Sequence, residues 1–190
     1  MSLLILGLVL FFGIHSVSIV APAWRDAQLA ARGEAAWKGI YSVAAGIGLA
    51  LMIYGYGLAR QAPLVLYSPP VALRHVALLL LLPVFVLLLA VYLPGRIKTT
   101  AKHPMLLATK LWALAHLLVN GTLADVLLFG GFLGWAIADR ISLKHRPARA
   151  VPGLPESDAN DAIALVGGLA LYAVILWWGH AWLIGVAPLG

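Results

Sequence analysis

Between His75 and Tyr92 the chain has no polar side chain. A helix needs about 20 apolar residues to cross a bilayer, and five more stretches approach that length. The six fall near 3–22, 37–59, 72–93, 104–120, 122–140 and 161–184. Hydrophobic residues make up 63% of the chain and charged ones 11%. A soluble domain runs at roughly 45–50% apolar and 25% charged, so this composition belongs in lipid. The expected fold is all-α: one polytopic membrane domain over residues 1–190, a bundle of six transmembrane helices.

The charges fix a direction. Eleven of the thirteen basic residues (Arg25, Arg32, Lys38, Arg96, Lys98, Lys102, Lys110, Arg140, Lys144, Arg146 and Arg149) fall on connections 1, 3 and 5 or the adjoining helix ends. Only Arg60 and Arg74 fall on the opposite side. The excess of Lys and Arg marks cytoplasmic loops, which puts both termini outside. A net charge of +6 scattered between apolar blocks serves this orientation and gives no reason to expect nucleic acid. Met1–Val20 reads as a retained first helix, because no basic n-region precedes it.

Local signals divide the apolar runs. His103-Pro104 opens a helix, since proline at the first helical position has no N–H to leave unpaired. Asn120-Gly121 reads as its exit through a left-handed glycine. Thr122 with Asp125 three residues on is an acidic variant of the capping box. Pro83 predicts a kink in the third helix, whose apolar side chains are expected to face lipid. Gly130 and Gly134 predict a face that another helix approaches closely. Trp24–Ala36 reads as a short polar loop, and Ile141–Asn160 as a flexible surface connection.

Chemistry is confined by what is missing. There is no cysteine, which excludes disulfides, thiolate catalysis and iron–sulfur clusters. No phosphate-binding glycine loop, Ser-His-Asp set or intramembrane carboxylate pair is present, which disfavours hydrolases, ATPases and carboxylate-relay transporters. Of six histidines, His75, His103, His145 and His180 fall near helix ends or in a loop and read as interfacial. His15 and His116 do not. Each lies about twelve residues from its end of the membrane, roughly 18 Å deep from opposite sides. In a core of about 30 Å they reach levels within roughly 6 Å of each other.

Two neutral imidazoles at one depth suit the axial positions of a haem, which brings its own four nitrogens. They suit a zinc or di-iron site poorly, because such sites want further carboxylate or thiolate ligands. Trp112, one turn before His116, would give a flat ring a surface to rest on. Hydrogen bonds from each imidazole to a hydroxyl or carbonyl, with no metal, account for the same spacing.

Several of these residues together resemble a known family. His15-Ser16, Pro94-Gly95-Arg96, His103-Pro104, Leu111-Trp112-Ala113, Ala115-His116, Asn120-Gly121 and Leu128-Phe129-Gly130 are similar to the pattern of the NnrU family. That family includes bacterial NnrU, associated with nitrite and nitric oxide reduction, and the 15-cis-zeta-carotene isomerases. The resemblance implies haem b held by His15 and His116, with a link to denitrification. The isomerase branch implies instead a redox-gated cis–trans isomerase of an apolar polyene on the same iron. A haem-free structural or transport component is the third expectation. No catalytic residue is assigned, and the expected partners are lipid, haem, and a polyene or nitric oxide.

Overall fold

The computed structural model describes residues 1–146 and 151–189. In chain order its helices are α1 (Ser2–Val20), α2 (Pro22–Arg32), α3 (Glu34–Ala59), α4 (Leu73–Leu81), α5 (Val84–Ala90), α6 (Arg96–Ala101), α7 (Pro104–Leu117), α8 (Leu123–Ser142), α9 (Ala159–Val174) and α10 (His180–Ile184). A π-helical turn, Ile175–Gly179, joins the last two. The described residues contain no β-strand, only an isolated bridge between Val65 and Thr122. Four helical stretches are long and apolar enough to cross a membrane: Ser2–Val20, Glu34–Ala59, Leu73–Ala90 and Ala159–Ile184. Their outer faces are apolar and open, with Val9, Val43, Leu79 and Val166 all more than 60% exposed. In water such faces would aggregate; in lipid they are solvated, so this is a membrane protein. The other two expected spans differ. Helix α7 has 14 residues, about 21 Å of rise, and α8 carries Asp125, Asp139 and Arg140.

The chain forms two compact units, Met1–Ser68 with Asn120–Ser142, and Pro69–Val119 with Leu143–Gly190. In the first, α1 lies against α3 with almost nothing between the backbones. A Cβ on Gly7 would stand 2.5 Å from the Met52 nitrogen, and one on Gly48 2.8 Å from the Phe11 nitrogen. Gly55 likewise faces the Leu4 backbone. Lipid offers no hydrophobic drive between helices, so van der Waals contact through small residues has to supply the attraction. Leu4, Leu8, Met52 and Ala124 form the buried core. Helix α8 joins through Gly131, where the Phe12 ring sits 2.9 Å from a built Cβ. The expected close face at Gly130 and Gly134 is corrected: Gly134 meets nothing within 4 Å, and Gly130 meets only its own helix's Val126.

Residues 24–36, expected as loop, are helical apart from Gly33. Pro22 starts α2 at a favoured position, and Gly33, at φ +79°, ends it in a conformation that side chains avoid. At the other end of the unit, Leu66 and Tyr67 donate their backbone N–H groups to the Gly121 carbonyl at 2.8 and 3.1 Å. Gly121 is therefore needed for a different reason from the one its sequence suggests. Its φ is not left-handed; a Cβ there would collide with the Tyr67 carbonyl. The Thr122–Asp125 capping box forms as expected. The carboxylate accepts from the Thr122 N–H (2.9 Å) and hydroxyl (2.6 Å), while the Asp125 N–H donates to the Thr122 oxygen at 3.3 Å. Tyr56 adds a 2.6 Å hydrogen bond to this buried carboxylate. Burial and the Asp125 charge push the Tyr67 hydroxyl, in the adjoining loop, above its ordinary range.

In the second unit the Pro83 break forms, separating α4 from α5. Helix α5 does not face lipid throughout: Val84, Val86, Leu87 and Ala90 are buried. Val84 and Leu87 pack on Ala108 of α7, and Ala90 on Ala164 of α9. Gly168 of α9 lies against the Val86 backbone, 2.5 Å from a built Cβ. Two polar residues at the start of α9 clasp the Pro94-Gly95-Arg96 turn. Asn160 donates to the Pro94 and Pro155 carbonyls at 2.8 and 3.0 Å. The Asp161 carboxylate accepts from the Arg96 and Ile97 N–H groups at 2.8 and 3.0 Å. Gly95 leaves room for that carboxylate, which a Cβ would meet at 2.5 Å. Arg149, counted in the charge asymmetry, lies outside the described residues.

Candidate functional site

His15 belongs to the first unit and sits on α1, one turn beyond Phe11. Its Nδ1 lies 2.7 Å from the Phe11 carbonyl. A carbonyl only accepts, so the proton is on Nδ1 and the lone pair is on Nε2. The surroundings are aromatic. Phe11 stacks on the imidazole with centroids 4.0 Å apart. Tyr41 of α3 meets it edge-on at 5.1 Å, and Trp135 of α8 at 5.7 Å and 89°. Phe132 contacts both Phe11 and Phe12, closing the cage on the α8 side. The Trp135 indole N–H is buried and has no hydrogen-bond partner among the described residues. A buried donor left unmatched costs about 1–3 kcal/mol.

His116 belongs to the second unit. It lies in the last turn of α7, which ends at Leu117, three residues before the expected limit. Proline at the start of α7 and a tight turn before it set the helix's origin. The His103 N–H bonds back to the Ala101 carbonyl at 2.6 Å around Lys102 at φ 59°, a strained γ-turn. Ala108, Ala113 and Ala115 are almost wholly buried, and this apolar packing leaves His116 on a half-buried face. Its Nδ1 is 2.8 Å from the Trp112 carbonyl, the same device as at His15, which again puts the lone pair on Nε2. The Trp112 ring lies beside it, centroids 5.2 Å apart, as the sequence spacing implied.

The structure brings together a pair that sequence reasoning kept apart, since it read His180 as interfacial. His180 stands 6.5 Å from His116, ring centroid to centroid, with the planes at 22°. Its Nδ1 is 2.7 Å from the Val186 carbonyl. No local spacing signals this pairing, because residues 116 and 180 are joined through separate helices. The Ile175–Gly179 π-turn stands just ahead of His180; such bulges shift the phase of the following residues.

The Arg96 backbone N–H is capped by Asp161, and the Lys98 ammonium donates to the Val91 carbonyl at 2.8 Å. No three His, Asp or Glu side chains group into a metal site among the described residues. Any metal held by these side chains would rest on one or two imidazoles. The donor chemistry fits haem. Iron takes a neutral imidazole through one nitrogen while the other N–H is anchored on a carbonyl, and this is the form of His15 and His116.

A family model described as NnrU protein matches residues 3–188, nearly the whole chain. No curated protein and no solved structure matches it.

Proposed function

The chain belongs to the NnrU family, and on that premise we propose that it is a multi-pass protein of the bacterial inner membrane that holds haem b through His15 and His116 and serves nitrite and nitric oxide metabolism. One observation carries the ligand assignment. Both imidazoles donate Nδ1–H to the carbonyl four residues earlier, at 2.7 and 2.8 Å. That bond fixes tautomer and ring direction, which in metal sites is worth 10–100-fold in affinity. Trp112, beside His116, would give the haem an apolar contact. A bound haem would supply one-electron chemistry. The protein's part is to present the two imidazoles neutral, with aromatic rings beside each.

In the same reading, α7 and α8 complete six spans, with both termini periplasmic. The eleven basic residues on one set of connections support this direction. Reporter fusions at Gln61 and Lys144 test it: the first is expected outside, the second inside.

The ligand assignment is tested by absorption spectra, oxidised and dithionite-reduced, of the detergent-purified protein. A Soret band with sharp reduced bands, altered in both His15→Ala and His116→Ala, is the expected result. A flat spectrum from haem-supplied cells would end the haem reading and leave a structural or transport bundle.

The aromatic cage of Phe11, Tyr41 and Trp135 around His15 favours one second reading, a haem-dependent cis–trans isomerase of an apolar polyene such as a carotenoid. Coexpression with a zeta-carotene pathway tests that reading, and unchanged isomer ratios would remove it.

A further inference from the structure

We propose that residues 175–184 form an interfacial anchor, in which Trp177, Trp178 and Trp182 seat their indoles among the ester carbonyls of the phospholipid leaflet farther from Asp161. The inference lies wholly within the second unit. It rests on one membrane crossing by Ala159–Ile184, and on neither the haem reading nor the direction of that crossing.

Exposure comes first. Trp177 and Trp178 are 61% and 68% exposed, and Trp182, at 84%, is the most exposed large apolar side chain among the described residues. The rings of Trp177 and Trp178 lie 6.3 Å apart, centroid to centroid, so they share one patch. An indole has an apolar body and a single N–H. In the acyl region that donor goes unmatched, and in water the ring stays wet. The ester carbonyls at the boundary satisfy both parts.

Depth agrees. The Asp161 carboxylate is held by the Arg96 and Ile97 N–H groups, and a charge is costly within the hydrocarbon, so Asp161 marks one edge. At 1.5 Å per residue, Trp177 and Trp182 stand roughly 24 and 32 Å beyond it. Those distances straddle the far edge of a core of about 30 Å. Packing against α5 gives the same level. Gly168 lies on Val86 and Ala164 on Ala90, so α9 runs antiparallel to α5. Beyond the Pro83 break the Tyr172 hydroxyl ties α9 to the Leu78 carbonyl of α4 at 3.0 Å. Continued, the register brings Trp178 level with Val76 and Trp182 level with Ala72, where α4 begins beside Arg74.

Charge explains why tryptophan is needed. From 162 to 189 the chain contains no Asp, Glu, Lys or Arg. With no charge to hold this helix end in the headgroups, aromatic rings are left to do it. The backbone stops at the same depth. Helix α10 ends at Gly185, φ 77°, and the reversed chain brings the Val186 carbonyl to the His180 N–H at 2.7 Å. An uncharged anchor has no preference for anionic headgroups.

The chain has no cysteine, so a single introduced one takes a thiol-directed spin label alone. The test places labels at Leu183→Cys and Val166→Cys, both exposed positions, in the full chain in phosphatidylcholine vesicles with and without phosphatidylglycerol. Depth is read from oxygen and nickel-chelate accessibility. The label at 183 is expected near the ester carbonyls and the one at 166 inside the hydrocarbon, at the same depths in both lipids. Combining Trp177→Leu, Trp178→Leu and Trp182→Leu keeps the surface apolar but removes the N–H groups, and is expected to shift the 183 label by about 3 Å or more, two residues of rise. Trp182→Leu alone, at an exposed position, is the second variant should the triple lose helicity by circular dichroism; its shift is expected to be smaller but measurable. The anchor is overturned by a 183 label as deep as the 166 label, by one as open to the nickel chelate as in water, or by dipolar broadening from a second copy on this face. An unchanged depth in the tryptophan variants overturns it too, as does a depth that follows phosphatidylglycerol content, since a charge would then set the position.

Discussion

His15 and His116 are anchored by the same hydrogen bond, yet the helices that carry them are positioned by different means. Helix α1 is located along its length, by backbone contact with α3 at Gly7, Gly48 and Gly55. Helix α7 depends more on its start, through the Lys102 turn, and the preceding Pro94–Ile97 segment is clasped by Asn160 and Asp161. The first arrangement tolerates no added atom. The second rests on polar groups that can be removed one at a time. In lipid both are workable, since close contact and internal hydrogen bonds each replace the hydrophobic drive that water would have supplied.

The difference is sharpest at the glycines. Gly7→Leu drives a large side chain into the Met52 backbone and should cost about 3 kcal/mol or more, seen as loss of folded protein in denaturant titrations. An effect below about 1 kcal/mol would mean that α1 is not held by contact with α3. Next come the two carboxylates, one in each unit. Asp125→Ala leaves Tyr56 and Thr122 without a charged acceptor, and a hydrogen bond to such a group is worth about 1.5–3 kcal/mol. Asp161→Ala removes a cap from α6 and is expected to cost about 1 kcal/mol. If Asp161→Ala proves the costlier, the second unit depends on its clasp more than its packing.

Trp135→Phe removes the unmatched N–H together with part of the ring. Loss of ring contacts with Phe12 and His15 opposes the gain from losing an unsatisfied donor, so stability should change by less than about 2 kcal/mol. If an acceptor normally sits beside His15, the same variant should weaken its binding or shift its absorption. Lys102→Gly is the smallest effect, a gain of about 0.5–1 kcal/mol from relieving the positive φ, read by thermal unfolding. A loss there would show that the turn needs the lysine side chain.

Several elements were legible because their signals are local. Pro104, Pro83 and the Thr122–Asp125 pair act on the residues next to them, and all three do what their chemistry requires. His15 and His116 stood out because a titratable ring inside an apolar run is costly wherever that run ends up. Gly121 was picked out correctly but for the wrong cause, since the Tyr67 carbonyl that excludes a Cβ comes from a distant loop. Trp135 beside His15 was not legible either, because it approaches from α8 across the packing. The His116–His180 pairing was equally hidden.

Amino-acid order alone determined that this is a helical membrane protein of the NnrU family, and which histidines lie within apolar runs. Those properties follow from composition, short-range sterics and the cost of burying charge. Only the tertiary structure decided which glycines bring helices together, that Asp161 clasps the Pro94-Gly95-Arg96 turn, and which rings surround each histidine. These depend on how separate helices meet, and in an apolar bundle many residues of similar chemistry compete for every contact.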